Sequence, residues 1–234
     1  MATPPLGPAV TAPGAACRLR PSPTALAVRL DGLQARDIGA LDALIDQLPE
    51  PPWDVEVNGE ETDLLGLLAA RGFTQYARGT LYVRGVEAIV APRVPAIEVV
   101  GYDNAWAPAF TAAESSAMQG LAAFGELGSP SGYEWGAGHG SFRIARTTEG
   151  RLVGFAHADV PDGVVDWFGV VPEQRGKGVG RLLMAAVARD VSGARGTHLL
   201  AFAEDATPAG PFLARLGFQA RGRRILVIRR RDER

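Results

Sequence analysis

The chain has 234 residues, 47% of them hydrophobic and 21% charged, enough for one large or two small globular domains with a filled core. A formal net charge of −2 supplies no global field for nucleic acid or an anionic membrane surface, and no apolar run is long enough to span a bilayer. A single cysteine, Cys17, excludes an internal disulfide framework and suits a reducing, cytoplasmic setting, and His139, His157 and His198 are too scattered for a metal pattern, so no metal site is expected.

Residues 1–16 are rich in proline and alanine, with neither a basic stretch nor a continuous apolar core, and read as a loose tail. Arg18 to Leu30 holds one or two short strands broken by Pro21 and Pro23. The apolar stripe Ile38, Leu41, Leu44, Ile45 and Leu48 predicts a helix, stopped by Pro49, Pro51 and Pro52. Trp53 to Val57 alternates as a strand, Leu64 to Ala70 is a short helix with Gly72 placed to cap it, and Thr74 to Arg84 alternates again. Pro92 and Pro95 mark a linker.

Beyond it, Ile97 to Tyr102 reads as a strand and Ala105 to Leu127 as one or two helices. Gly128 to Gly140 is a glycine-rich loop bearing Tyr133 and Trp135, the kind of loop that lines binding sites. Ser141 to Thr147 and Leu152 to Val160 form a hairpin about Glu149-Gly150. Val164 to Val171 is an apolar strand that Pro172 ends, and Leu182, Leu183, Ala186 and Val187 then recur at helical spacing. Thr197 to Ala203 is a strand, Pro208 to Leu216 a short helix closed by Gly217, and Arg224 to Arg229 a last strand closing the sheet.

Two stretches align without a gap at an offset of 145 residues, Trp53–Arg84 on His198–Arg229. Thr62 falls on Thr207, Leu68 on Leu213, Gly72 on Gly217, Phe73 on Phe218, Arg78 on Arg223 and Leu81 on Leu226, which predicts an internal repeat. Extended upstream with a small gap, the repeat sets Asp37 where Gly178 stands in the second copy.

Between the apolar strand and its helix lies Arg175-Gly176-Lys177-Gly178-Val179-Gly180. The first amides of a helix lack internal acceptors and sit at its positive end, and glycines let backbone approach a ligand, so this turn suits a phosphate or pyrophosphate. The pattern G-x-x-x-x-G-K-[ST] is absent, and G-x-G-x-x-G fails because Arg181 stands where the third glycine belongs. What remains, V-x-P-x-x-R-x-x-G-x-G from Val170 to Gly180, resembles the acyl-CoA motif of the GCN5-related N-acetyltransferase (GNAT) family.

The resemblance implies a mixed, mostly antiparallel α/β acyltransferase sheet flanked by helices, over residues 96–234. Residues 17–91 would be a degenerate half-domain of the same kind, joined by the linker 92–95. It implies acetyl-CoA as co-substrate, held by Phe168, Val170 and Val171 on the strand and by Arg175, Gly176, Lys177, Gly178, Val179, Gly180 and Arg181 on the turn, with the Val170 amide as oxyanion donor. The acceptor would be an amine of a small molecule or protein, and a base must take its proton; Asp166 is the first candidate, with Asp159, His157 and Glu204 as rivals. The family often has an asparagine touching CoA where Glu204 and Asp205 stand. The tyrosine that many members use as general acid is replaced by Leu213, and Tyr133 is a possible substitute. A non-catalytic acyl-CoA-binding sensor or scaffold is the alternative. The half-domain, unable to bury its own sheet, should pack on residues 96–234 or on a second chain, making a homodimer possible. The arginines from Arg221 to Arg234 fit a solvated edge strand better than a nucleic-acid surface.

Overall fold

The computed structural model describes residues 8–21, 28–87, 89–121, 140–160 and 162–230. The loop from 128 to 139, with Tyr133, His139 and most of the second expected helix, lies outside them, as do residues 231–234. The strands are β1 (Ala9–Ala12), β2 (Ala15–Pro21), β3 (Val28–Ala35), β4 (Trp53–Asn58), β5 (Thr74–Gly85), β6 (Ile97–Gly101), β7 (Gly140–Thr147), β8 (Leu152–Asp159), β9 (Val164–Val170), β10 (His198–Glu204) and β11 (Gln219–Arg229). The α-helices are α1 (Ile38–Ile45), α2 (Thr62–Ala69), α3 (Ala107–Met118), α4 (Val179–Gly193) and α5 (Ala209–Arg215).

All eleven strands join one mixed sheet in the order β1-β2-β3-β4-β11-β5-β10-β9-β8-β7-β6. Among the described residues only β3/β4 and β9/β10 pair parallel. The order does not split at the linker. β5, from the first half, lies between β11 and β10, and β11, from the second half, lies between β4 and β5. Each half thus lends its last strand to the other. This corrects one expectation: the arginine-bearing β11 is an interior strand, not an edge. Residues 17–91 share a single sheet with the rest of the chain.

The interleaving has an approximate two-fold centre. Arg224 pairs with Gly79, and these positions are themselves 145 apart. On either side the ladder skips one residue: Tyr76 on β5, between Ala77 and Gln75, and Arg221 on β11, between Gly222 and Ala220. Tyr76 and Arg221 are again 145 apart, so the two β-bulges are related by the repeat offset. At the centre a Cβ on Gly79 would stand 2.1 Å from the Ala203 carbonyl oxygen and 2.7 Å from the Phe202 ring. Gly79→Ala should therefore cost about 3 kcal/mol, the upper end for overpacking, read as a lower urea midpoint at constant m-value.

The first strand corrects the tail. Ala9–Ala12 pairs with β2, so residues 9–16 form a hairpin of the sheet. Pro13-Gly14 makes the turn, with Gly14 at φ +82°, a conformation glycine adopts freely. Burial pushes the Cys17 thiol on β2 up to about 11, so at neutral pH it stays protonated and packs as an apolar residue.

Among the described residues two large cores line the sheet, with a third small cluster of Tyr76, Ala77, Leu226 and Ile228 between β5 and β11. The larger gathers α3, α4 and α5 on β7 to β10, with Phe110, Phe155, Leu183 and Met184 fully buried. The smaller packs α1 and α2 on β2 to β4 through Leu41, Leu44, Val55 and Leu68. α4 is fastened to β7 where Arg143 donates from Nε and Nη2 to Asp190 at 2.6 and 2.7 Å. Burial works against ionising Asp190, yet the hydrogen bonds from Arg143 and Ser141 hold its carboxyl below the usual range. Among the described residues no helix is long and apolar enough to cross a membrane.

Candidate active site

β9 and β10 pair at only two positions, Val164 with Leu200 and Val165 with Ala201. Beyond them β9 runs to Val170 and β10 to Glu204 unpaired with each other, which opens a slot in the middle of the sheet. The Val171 amide donates to the Val153 carbonyl of β8 at 3.0 Å. Amides alternate in direction along a strand, so that of Val170 points the other way, into the slot. The floor is aromatic: Phe168 and Phe212 stack at 5.3 Å and 17°. A Cβ on Gly180 would lie 3.1 Å from Phe212 and 3.2 Å from Phe168, so glycine lets the helix start sit close on these rings.

α4 begins at the mouth of the slot. Its N-cap, Gly178, has φ +89°, and Gly176 has φ +75°. The last two turn amides before the glycines are used internally, Gln174 by Val171 and Arg175 by Pro172. Among the described residues the amides of 176–181 have no such backbone acceptor. The fifteen-residue helix adds its positive end at the same point.

The side chains of two arginines of the turn also bond carbonyls of the chain itself. Arg175 donates from Nε to the Val170 carbonyl (3.0 Å) and from Nη2 to that of Ala117 (2.9 Å), tying the end of β9 to α3. Arg181 donates from Nε to the Val90 carbonyl at 2.9 Å, and Pro92 and Val94 lie against Gly178. The linker thus packs on the glycine turn, where Lys177 is exposed.

At the apex of the slot, Asp166 is the first residue of β9 past the last pair with β10. It is also the residue the β8/β9 ladder skips, between Trp167 opposite His157 and Val165 opposite Ala158. This bulge brings its carboxylate to His157, with Oδ1 2.7 Å from Nδ1 and side-chain exposures of 4% and 2%. Asp159, on the same side of β8 as His157, completes a group whose ligating atoms all lie within 4.8 Å of one another. The spacing of the histidines carried no metal pattern because this cluster spans two strands and depends on a bulge.

The remaining candidates are placed apart from that apex. Glu204 ends β10 beside Gly79. Asp205, beyond it, receives both Nη groups of Arg223 and stands 3.2 Å from Arg78; the Arg223 hydrogen bonds lead in holding its carboxyl low. Leu213 is buried at 4% exposure in the core under α5. The Tyr82 hydroxyl of β5 lies 3.1 Å from where a Cβ of Gly210 would stand on α5, a neighbour that only the strand exchange brings there.

The first half opens a similar slot, because β3 and β4 pair only at Val28/Trp53 and Arg29/Asp54. Its root is closed by a buried ion pair, Arg29 Nε and Nη2 donating to Asp54 Oδ2 at 2.9 and 2.6 Å. Asp37 caps α1, accepting from the Ala40 amide at 2.8 Å, and that bond leads in keeping its carboxyl below the usual range. The helix end that would face an anion is filled by a carboxylate.

A sequence profile described as an acetyltransferase (GNAT) domain matches residues 138–220. No curated protein matches the sequence. Among solved structures, a GCN5-related N-acetyltransferase from Kribbella flavida is similar at 17% identity and TM-score 0.63, over 97% of this chain and 91% of that one. A GCN5-related N-acetyltransferase from Sphaerobacter thermophilus aligns at 16% identity and TM-score 0.57, over 93% and 76%. A tandem GNAT protein from the clavulanic acid biosynthesis pathway, solved without AcCoA, aligns at 17% identity and TM-score 0.60, over 94% and 80%.

Proposed function

We propose that the chain is an N-acetyltransferase, a reading supported by the GNAT profile match over residues 138–220 and by the likeness of the fold to GNAT structures. It would move an acetyl group from acetyl-CoA to an amine of a small molecule or protein by direct attack. One observation carries the reading: the ladder opens beyond Val165/Ala201 under a glycine-capped helix, with the His157–Asp166 pair at the apex.

The glycine turn fits a pyrophosphate, since the amides of 176–181 gather at the positive end of α4 and Lys177 adds a charge. An extended pantetheine arm fits the slot, where β9 offers Phe168 to Val171 as an open strand edge. The Val170 amide then supplies a hydrogen bond to the thioester carbonyl oxygen as negative charge develops on it.

An alkyl ammonium, pKa about 10.4, leaves about one molecule in a thousand reactive at neutral pH, so a base at the apex matters. Nδ1 of His157 is tied to Asp166, which orients the ring, and the two act as one proton-accepting unit. The acceptor amine gives up its proton there, attacks the carbonyl carbon, and the C–S bond breaks as the thiolate leaves.

Asp166→Asn should lower turnover roughly a hundredfold and remove the acidic limb of the pH–rate profile, with acetyl-CoA affinity unchanged. His157→Gln should do the same, and the double variant should be no slower than either single one, as expected of a pair acting together. Thiol release from acetyl-CoA across a panel of amines reads all three. Full activity in Asp166→Asn would move the role to Asp159, His157 or Glu204.

The burial of Leu213 at the family's acid position favours a second reading, an acyl-CoA-binding module without turnover. In that case calorimetry shows acetyl-CoA binding while no amine releases thiol.

A further inference from the structure

We propose that His157, Asp159 and Asp166 form a binding site for a divalent first-row metal ion, zinc being the best fit. His157 and Asp159 project from the same side of β8 because they are two residues apart on a strand. Asp166 joins them through the bulge in β9. Among the described residues these side chains bring three ligating atoms within 4.8 Å of one another. Around a tetrahedral zinc, with bonds of about 2.0–2.2 Å, ligand atoms stand roughly 3.4 Å apart, so small rotations of the carboxylates close the shell.

The chemistry selects the ion. An imidazole with two carboxylates suits zinc and its neighbours, whereas magnesium and calcium prefer oxygen alone. Two carboxylates beside a histidine that is 2% exposed repel each other, and a doubly charged cation relieves that repulsion more fully than one proton on the ring. Three protein ligands leave a fourth position for water. The backbone supports the arrangement: the Gly163 amide donates to the Asp159 carbonyl at 2.8 Å, holding the β8–β9 turn that carries the cluster.

Resting on the acetyltransferase reading, the site has a regulatory consequence. The ion engages the imidazole and carboxylates that would take the ammonium proton, so metal occupancy switches the base off. It leaves the glycine turn untouched, so acetyl-CoA binding persists.

The test is calorimetric titration of zinc chloride into the full-length protein after chelator treatment, with circular dichroism on each variant. The expected result is one ion per chain, with affinity falling by more than about tenfold in Asp159→Asn and in His157→Gln. Asp159 is half-buried at the end of β8, so its variant keeps the fold even where that at His157 does not. Turnover should fall as zinc is added and recover with EDTA, while acetyl-CoA affinity stays constant. No zinc binding, or binding unchanged in both variants, would overturn the site. The titration reads the ion without any turnover, so a chain that binds zinc at this cluster yet never transfers acetyl keeps the site and sinks the acetyltransferase reading.

Discussion

Gly178→Asp should abolish acetyl-CoA binding, with calorimetry showing a loss of at least about a hundredfold. Gly178 is the N-cap of α4, and among the described residues the amides of 176–181 have no backbone acceptor outside the helix, which leaves them for the proposed pyrophosphate. A carboxylate there repeats what Asp37 does at the start of α1, where it occupies the helix end itself. The substitution also carries a conformational cost. Gly178 has φ +89°, and an added Cβ would sit 3.2 Å from Val94. Gly178→Asn, with the same strain and no charge, separates the two effects: it should lower the melting temperature equally and keep much more of the affinity. Unchanged affinity in a folded Gly178→Asp variant would remove the turn from the site.

Deleting residues 1–91 should leave the rest insoluble or unfolded. The deletion removes β4 and β5, which flank β11, and β5 is also the antiparallel neighbour of β10. β11 would lose both partners and expose Leu226, Val227 and Ile228, each at most 6% exposed in the whole chain. β10 would keep only its two pairs with β9. An open apolar edge of this kind pairs with other chains and aggregates. A soluble, monomeric fragment with native acceptor kinetics would show that the exchanged strands are dispensable.

The parts of this fold legible in the sequence are those written locally. Pro172 ends β9, the glycines start α4, and Gly72 and Gly217 close the short helices, so these elements stand within a few residues of their expected limits. Residues aligned at the offset of 145, such as Arg78 and Arg223, fall in strands β5 and β11 that pair with each other. The exchange of strands itself was not legible. Nothing near Thr74 says that its strand leaves β4 to pair with β10 and β11, since that choice depends on the gap each half leaves open. β1 escaped notice because Ala-Val-Thr-Ala has little apolar contrast, although Pro13-Gly14 marked its turn. At the site, Arg175 reads as a phosphate ligand by charge, yet its guanidinium is bonded to two carbonyls. Asp166 and His157 were rivals on paper; the bulge that makes them partners has no local sequence signature.

Amide hydrogen exchange with and without acetyl-CoA tests the central claim most directly, because it reads both halves of the pseudo-symmetric sheet at once. Protection should appear at residues 176–182 on the turn and at 166–171 on β9, with none at 36–41 around Asp37. Protection at 36–41, or its absence at 176–182 under saturating acetyl-CoA, would contradict the account.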